Sequence, residues 1–193
     1  SAIELCTFLS RSVQLQEIRL VHINLQDGKI DLSEIRNLST LYLCNIVMPC
    51  ESAVLLFNSL SMCTQLQELT LWHVNVADGK LDLSLASYLS QLCINTVDVS
   101  SESAVILCNS LSQCSKMQNL KIESVNLGDA RLDLSGKADI CRLYLWNVTL
   151  SRGNERYLRE TLSNCTRLHC CWLNEIDLPD GKIVLSGEWN SLG

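Results

Sequence analysis

The stretch LQDGKIDLS, residues 25–33, decides the fold because the chain repeats it at a fixed interval. Taken alone, Asp27-Gly28 between alternating apolar residues predicts a β-hairpin with a two-residue turn. The pattern returns as VADGKLDLS at 76–84, LGDARLDLS at 127–135 and LPDGKIVLS at 178–186, each copy beginning 51 residues after the one before. Self-similarity at one spacing indicates stacked repeats, so we expect the turn to be one part of a solenoid.

Each 51-residue period contains two related segments. The first is QLQEIRLVHINL at 14–25, with copies at 65–76, 116–127 and 167–178; the second is LSTLYLCNIVM at 38–48, with copies at 89–99 and 140–150. Both carry the spacing L-x-x-L-x-L, with other apolar residues at some of its positions. The period is therefore a pair of units, 23 residues from Ile18 to Leu41 and 28 residues from Leu41 to Leu69.

Over essentially the whole chain these seven segments resemble the leucine-rich repeat family. The family motif, L-x-x-L-x-L-x-x-N/C-x-L, is matched at its leucine positions by Leu15, Ile18, Leu20 and Leu25. The resemblance implies an α/β fold, a leucine-rich repeat solenoid curved like a horseshoe, with a parallel concave sheet of about seven short strands.

One position departs from the family motif, because Ile or Val stands where the family has Asn or Cys. These residues are Ile23, Ile46, Val74, Val97, Val125, Val148 and Ile176. The turn after each strand must then be satisfied differently. The candidates one place later are Asn24, Asn75, Asn126 and Asp177.

The segments that return the chain from one strand to the next are of two kinds. In the 28-residue unit, residues 52–63 place Ala53, Leu56, Leu60 and Cys63 on one stripe of an amphipathic helix. The same stripe recurs as Ala2, Leu5, Leu9 and as Ala104, Leu107, Leu111. The 23-residue unit is too short for such a helix, and its KIDLS alternates, so we expect Ile30 and Leu32 to pack inward from an extended segment. Ala130 replaces glycine in the third copy, so a positive φ is not required there.

Length and composition favour one domain over residues 1–193, because 47% of the residues are hydrophobic and the repeat is continuous. The formal charge is −6, and no run of Lys or Arg occurs. The long-range field therefore opposes binding to nucleic acid or anionic membranes. No apolar run approaches the roughly 18 residues of a membrane helix, so no membrane partner is expected.

The eleven cysteines are an odd number and cannot all pair within the chain. Cys63, Cys114 and Cys165 share one repeat position, which places neighbours roughly 10 Å apart, two strand spacings, beyond the roughly 7 Å Cα limit of a disulfide. Cys171 stands where earlier copies have leucine. We expect small, buried, free thiols in a reducing, cytoplasmic compartment. The sequons at Asn37, Asn147 and Asn164 barely raise the odds of secretion, because an Asn- and Ser-rich chain contains such triplets by chance.

Strand alternation predicts which residues face away from the core. One row is Arg19, Tyr42, Thr70, Cys93, Lys121, Tyr144 and Trp172, and the next is Val21, Cys44, Trp72, Asn95, Glu123, Trp146 and Asn174. From strand spacing we expect two aromatic patches, Tyr144 with Trp146 and Trp172, and Tyr42 with Trp72. The predicted binding residues are Tyr42, Trp72, Tyr144, Trp146, Trp172, Arg19, Lys121 and Arg142.

Aromatic residues also favour strands for structural reasons, which is the main alternative explanation for this surface. The inward face has almost no aromatics, the reverse of what burial would select. Exposed Trp and Tyr near Arg are common anchors of protein interfaces. The mixed charges, with Glu17, Glu68, Glu123 and Glu175 beside the three basic residues, suit a polar rim better than an anion-binding groove. A surface for a protein or microbial ligand is the better interpretation.

The sequence favours a non-catalytic protein without cofactor or metal. His22 and His73 occupy equivalent positions two strands apart, roughly 10 Å, too far to share a metal or a proton. In His169-Cys170-Cys171, the two cysteines point to opposite faces of a strand. The DGK turn offers too few oxygen ligands for calcium and too few amides for a phosphate. No paired carboxylate, G-x-S-x-G or glycine-rich phosphate loop occurs.

The chain begins in a return helix and ends where a strand would begin, without polar caps. We therefore expect a segment of a longer protein that can self-associate through its uncapped ends. The alternating units and many cysteines resemble the leucine-rich repeat sensor region of NOD-like receptors, which implies cytoplasmic recognition of microbial or danger ligands in innate immunity. The alternatives are a ribonuclease-inhibitor-like or adaptor domain that binds one protein, and a secreted immune-type repeat protein.

Overall fold

The computed structural model describes residues 1–134, 136–137, 139–150, 152–174 and 176. The helices are α1 (Ala2–Arg11), α2 (Cys50–Ser59), α3 (Ser101–Gln113) and α4 (Arg152–Asn164), and a 3-10 turn over Leu60–Met62 prolongs α2. The strands are β1 (Glu17–Val21), β2 (Thr40–Ile46), β3 (Glu68–Ala77), β4 (Gln91–Asn95), β5 (Asp98–Val99), β6 (Asn119–Gly128), β7 (Arg142–Leu150) and β8 (Cys170–Asn174). No helix among the described residues is long and apolar enough to cross a membrane.

Seven of the strands form a parallel sheet in the order β1-β2-β3-β4-β6-β7-β8, and β5 pairs with the end of β3. Equivalent repeat positions lie side by side: one row is Ile18, Leu41, Leu69, Leu92, Leu120, Leu143 and Cys171. Each of these strands is one copy of the L-x-x-L-x-L segment. The α/β architecture is therefore that of a leucine-rich repeat solenoid, as the spacing predicts.

The core lies between one face of the sheet and the return segments. The predicted helix stripe of α2 and its 3-10 turn is buried, with Ala53, Leu56, Leu60 and Cys63 each 1% exposed. Cys6 and Leu9 of α1 are buried as well, whereas Ile3 and Phe8 on its other side are 58% and 63% exposed. Self-association through such a face stays a prediction. We call the sheet face that points away from the helices the concave face.

The extended return segments lie between successive helices, and helix side chains satisfy their backbone. Ile30 and Leu32 are 2% and 0% exposed, as the alternation predicts. The Leu32 amide donates to Ser59 Oγ at 3.0 Å, and Ser52 Oγ donates to the Gly28 carbonyl at 2.9 Å. These backbone groups have no strand partner, so the two buried serines supply the hydrogen bonds that burial demands.

The turn prediction is wrong by one residue. The Gly28 amide donates to the Leu25 carbonyl at 2.7 Å, so Gln26 and Asp27 are the central residues and Gly28 closes the turn. Gln26, not the glycine, has the positive φ of 48°. Glycine is favoured here by close approach, because a Cβ on Gly28 would lie 2.6 Å from the Cys6 sulfur.

The predicted substitutes for the family's Asn or Cys are confirmed in three copies. Asn24 Oδ1 accepts a hydrogen bond from the amide two residues later at 3.0 Å. Asn75 and Asn126 do the same at 2.6 and 2.9 Å. Each closes a local turn onto the backbone. Asp177 and the fourth turn at 178–186 lie outside the described residues.

A second backbone feature, which the sequence reading missed, follows the concave strands. His22, Asn45, His73, Thr96, Ser124 and Asn147 all have φ between 49° and 53°. This left-handed residue breaks the alternation, so that in β3 both Trp72 and His73 are exposed and Val74 is 2% exposed. The left-handed residue explains how Ile or Val at the next position can point into the core.

All eleven cysteines are free thiols in the structure. Cys63, Cys114 and Cys165 are 1%, 1% and 6% exposed, as predicted for small core residues. Burial raises the pKa of Cys63 and Cys114 to about 11 and that of Cys108 to about 12. These thiols are protonated, and hence weakly nucleophilic, at neutral pH.

Candidate recognition site on the concave face

The strand register places the two predicted outward rows side by side on the concave face. Arg19, Tyr42, Thr70, Cys93, Lys121, Tyr144 and Trp172 align in one row, and Val21, Cys44, Trp72, Asn95, Glu123, Trp146 and Asn174 in the next. Trp72, Trp146 and Trp172 are 40%, 44% and 56% exposed. Three large aromatic side chains therefore lie at the surface of a sheet whose other face is packed.

A hollow of about 400 Å³ lies among these rings, and we call it the aromatic hollow. Its lining is Trp72, Asn95, Lys121, Ile122, Glu123, Tyr144, Trp146 and Trp172. Asn95 is 5% exposed and stands on the strand next to Trp72. A short, buried side chain at this point leaves the space between the tryptophans open.

The predicted division into two aromatic patches is wrong. Trp72 and Trp146 stand three strand spacings apart, about 14 Å, yet they line the same hollow. The prediction grouped only rings on adjacent strands. It did not include the gap that smaller side chains leave between more distant rings. Tyr42 lies outside the aromatic hollow, where the Arg19 guanidinium is 5.8 Å from its ring centroid. Arg19 also donates to the carboxylate of Glu17.

The aromatic hollow contains one ion pair. Lys121 Nζ lies 2.8 Å from Glu123 Oε2, and this hydrogen bond is the main cause of the raised pKa of Lys121. The Asn95 side-chain oxygen accepts a hydrogen bond from Thr96 Oγ1 at 2.8 Å. Opposite charges so close neutralise each other, and the lining offers no excess of either sign. The sequence could have indicated this pair, since residues i and i+2 of a strand share a face.

A second, more polar hollow of about 200 Å³ adjoins the first towards the amino ends of the strands, and we call it the polar hollow. It shares Lys121 and Tyr144 with the aromatic hollow and adds Glu68, Thr70, Gln91, Leu92, Cys93, Asn119, Leu120 and Arg142. Gln91 Nε2 donates to Glu68 Oε1 at 2.9 Å. Within the part of the chain that the structure describes, no carboxylate lies within ion-pairing distance of Arg142.

Tyr144 stands where the two hollows meet. The Cys170 sulfur and the Tyr144 hydroxyl form a hydrogen bond of 3.2 Å. This hydrogen bond, ahead of burial, raises the pKa of Tyr144. The phenol therefore stays protonated at neutral pH, and the hydrogen bond to Cys170 of the neighbouring strand β8 fixes the position of its hydroxyl.

The histidines and cysteines considered for catalysis lie apart. His22 and His73 occupy equivalent exposed, left-handed positions after β1 and within β3, two strands apart in the sheet. Cys171 lies in the core-facing row with Leu143, whereas Cys170 lies beside Arg142 in a concave row. Over the described ranges, no group of three or more His, Cys, Asp or Glu side chains could hold a metal ion.

Comparison with known proteins adds little to this geometry. No protein-family model matches the sequence, and no curated protein matches it. Among solved structures, an internalin from Listeria monocytogenes is similar at 16% identity, with a TM-score of 0.36, over 89% of this chain and 71% of the internalin chain. A similarity of this size carries no argument, and the leucine-rich repeat architecture stands on the repeat spacing and the strand register.

Proposed function

We propose that this chain is a non-catalytic recognition module that binds a protein partner on its concave face. The observation that carries the proposal is the aromatic hollow, where Trp72, Trp146 and Trp172 leave large apolar surfaces uncovered. Tryptophan and tyrosine dominate the binding energy of protein interfaces, above all in pockets that become dry on binding. A volume of about 400 Å³ also lies within the range of pockets that hold a ligand group.

The surroundings of the hollow fit an interface as well. On the side towards the amino ends of the strands, polar and charged residues such as Arg142, Glu68 and Gln91 adjoin the aromatic hollow. An apolar centre with a polar rim is the usual anatomy of a protein-binding surface. The parallel strands hold these side chains on a rigid backbone, so binding would cost little conformational entropy.

At a finer level we propose that the module is the sensor domain of an intracellular NOD-like innate immune receptor, with a microbial or danger ligand. Support comes from the alternation of helical and extended returns and from thiols that the structure buries. Buried, protonated thiols persist in a reducing compartment, which fits a cytoplasmic location. The coding sequence upstream tests this directly, since the proposal requires a nucleotide-binding domain there.

The binding proposal is tested by comparing the proteins retained by the wild-type chain, by Trp146→Ala and by Tyr88→Ala. Tyr88 is 53% exposed and belongs to neither hollow, so it is a matched aromatic control. A true partner should bind the wild-type and Tyr88→Ala proteins equally and Trp146→Ala at least about thirtyfold more weakly, equivalent to about 2 kcal/mol. Equal binding to the wild-type and Trp146→Ala proteins would contradict the proposal.

A further inference from the structure

Resting on the proposed function, we infer the chemistry of the partner segment. The concave site accepts an extended stretch of protein in which an uncharged apolar side chain enters the aromatic hollow. A carboxylate about two residues away pairs with Arg142. This inference rests on two neighbouring features of the concave face. One is the apolar aromatic hollow, whose own charges balance, and the other is Arg142, which has no carboxylate partner among the described residues.

The aromatic hollow selects an uncharged group because its own charges are already matched. Lys121 and Glu123 are 2.8 Å apart within its lining. A cationic or anionic side chain entering the hollow would meet a like charge as well as an opposite one, and would lose its hydration. An aliphatic or aromatic side chain gains contact with Trp72, Trp146 and Trp172 without these costs.

Arg142 differs from the other basic residues of the concave face. Arg19 donates to the Glu17 carboxylate, and Lys121 pairs with Glu123. Arg142 is exposed on the rim of the polar hollow, and Glu68 in the same lining stands three strands away, about 14 Å. A guanidinium of this kind is suited to a carboxylate, which it can bind through two parallel hydrogen bonds.

The distance between Arg142 and the aromatic hollow sets the distance between the acidic and the apolar side chain of the ligand. Arg142, Tyr144 and Trp146 alternate along β7, and both hollows share Tyr144. Successive residues on one face of a strand are about 7 Å apart, which matches side chains at i and i+2 of an extended segment. The expected motif is therefore apolar-x-acidic, in either chain direction.

Sugars are the competing ligand class, since they also stack on tryptophan and bond to Asn side chains. The Arg142 guanidinium, which has no carboxylate partner among the described residues, favours the acidic protein segment. The test selects short random peptides displayed on phage against the immobilised wild-type chain, Arg142→Glu, Trp146→Ala and Arg36→Glu. Arg36 is exposed in a return segment away from the sheet and is the charge-matched control. The same four proteins are applied to a glycan array.

We expect wild type and Arg36→Glu to enrich peptides with an apolar residue two positions from Asp or Glu. Arg142→Glu should replace that acidic preference by Lys or Arg, a gain that misfolding cannot produce. Changing the acidic residue of an enriched peptide to its amide should weaken binding by up to about fivefold, the size of an exposed ion pair.

Two results would overturn the inference in distinguishable ways. If the enriched peptides require Trp146 but bind equally well whatever the charge at position 142, then the carboxylate subsite does not exist, whereas the proposed function is still supported. Binding to glycans alone, or the absence of any peptide that depends on Trp146, would contradict both the inference and the proposed function.

Discussion

The two faces of the parallel sheet carry different side chains although they belong to the same strands. In β7, Leu143 and Leu145 are 0% exposed, whereas the adjacent Trp146 is 44% exposed. Close packing against the return segments accounts for the leucines. Folding needs no tryptophans on the other face, and three of them line one hollow there. The difference separates residues that hold the solenoid together from residues available for recognition.

The largest change in stability should come from raising the pH, which ionises the buried cysteines on the core side of the sheet. The pKa of Cys63 and Cys114 is about 11 and that of Cys108 about 12, raised from 9.0 by burial. Because the folded pKa is the higher one, the stabilisation is complete below pH 9 and is lost as pH rises towards 11 to 12. Each thiol should remove up to about 1.4 kcal/mol per pH unit in that window.

Urea unfolding at pH 8 and above measures this slope. Cys108→Ala should flatten it, whereas Val105→Ala, a change on the exposed side of the same helix, should leave it unchanged. The same slope in all three proteins would mean that Cys108 is not buried as described.

The next largest effect should follow from Leu145→Ala. This side chain is fully buried in the continuous core, so its loss removes apolar contacts and leaves a cavity. We expect the free energy of unfolding to fall by about 2 to 5 kcal/mol, measured by denaturant melts. A loss below about 0.5 kcal/mol would place Leu145 at the surface and break the assignment of the two faces.

A smaller effect, of opposite sign, is expected at the left-handed residues, where the alternation of the two faces changes. His22 is exposed and has a φ of 53°, a conformation that costs residues with a Cβ free energy. His22→Gly should raise the free energy of unfolding by about 0.5 to 1 kcal/mol.

Thr70→Gly is the matched control, since Thr70 lies in the regular part of β3. It should lower stability by about 0.5 to 1 kcal/mol in the same melts. Destabilisation by both changes would mean that residue 22 is not left-handed in solution.

Much of this molecule could be predicted from its sequence, because the repeat spacing and strand alternation are strong physical constraints. They gave the parallel rows, the buried stripe of α2 and the outward tryptophans. The turn at Gly28 was misplaced because a close approach to Cys6 of α1 cannot be recognised from local sequence. The left-handed positions were missed because residues as different as His73 and Thr96 occupy them, with no glycine to mark the positive φ. The aromatic hollow depends on a gap over Asn95, which is a property of packing.

The most direct measurement of the central claim is the denaturant unfolding of Trp146→Ala beside that of Leu145→Ala. Trp146 faces away from the core, so we expect its truncation to change the free energy of unfolding by no more than about 1 kcal/mol, well below the loss at Leu145. If Trp146→Ala destabilises the chain as much as Leu145→Ala, then the tryptophan is a core residue. The strand register would then be shifted by one, and the recognition surface would not exist.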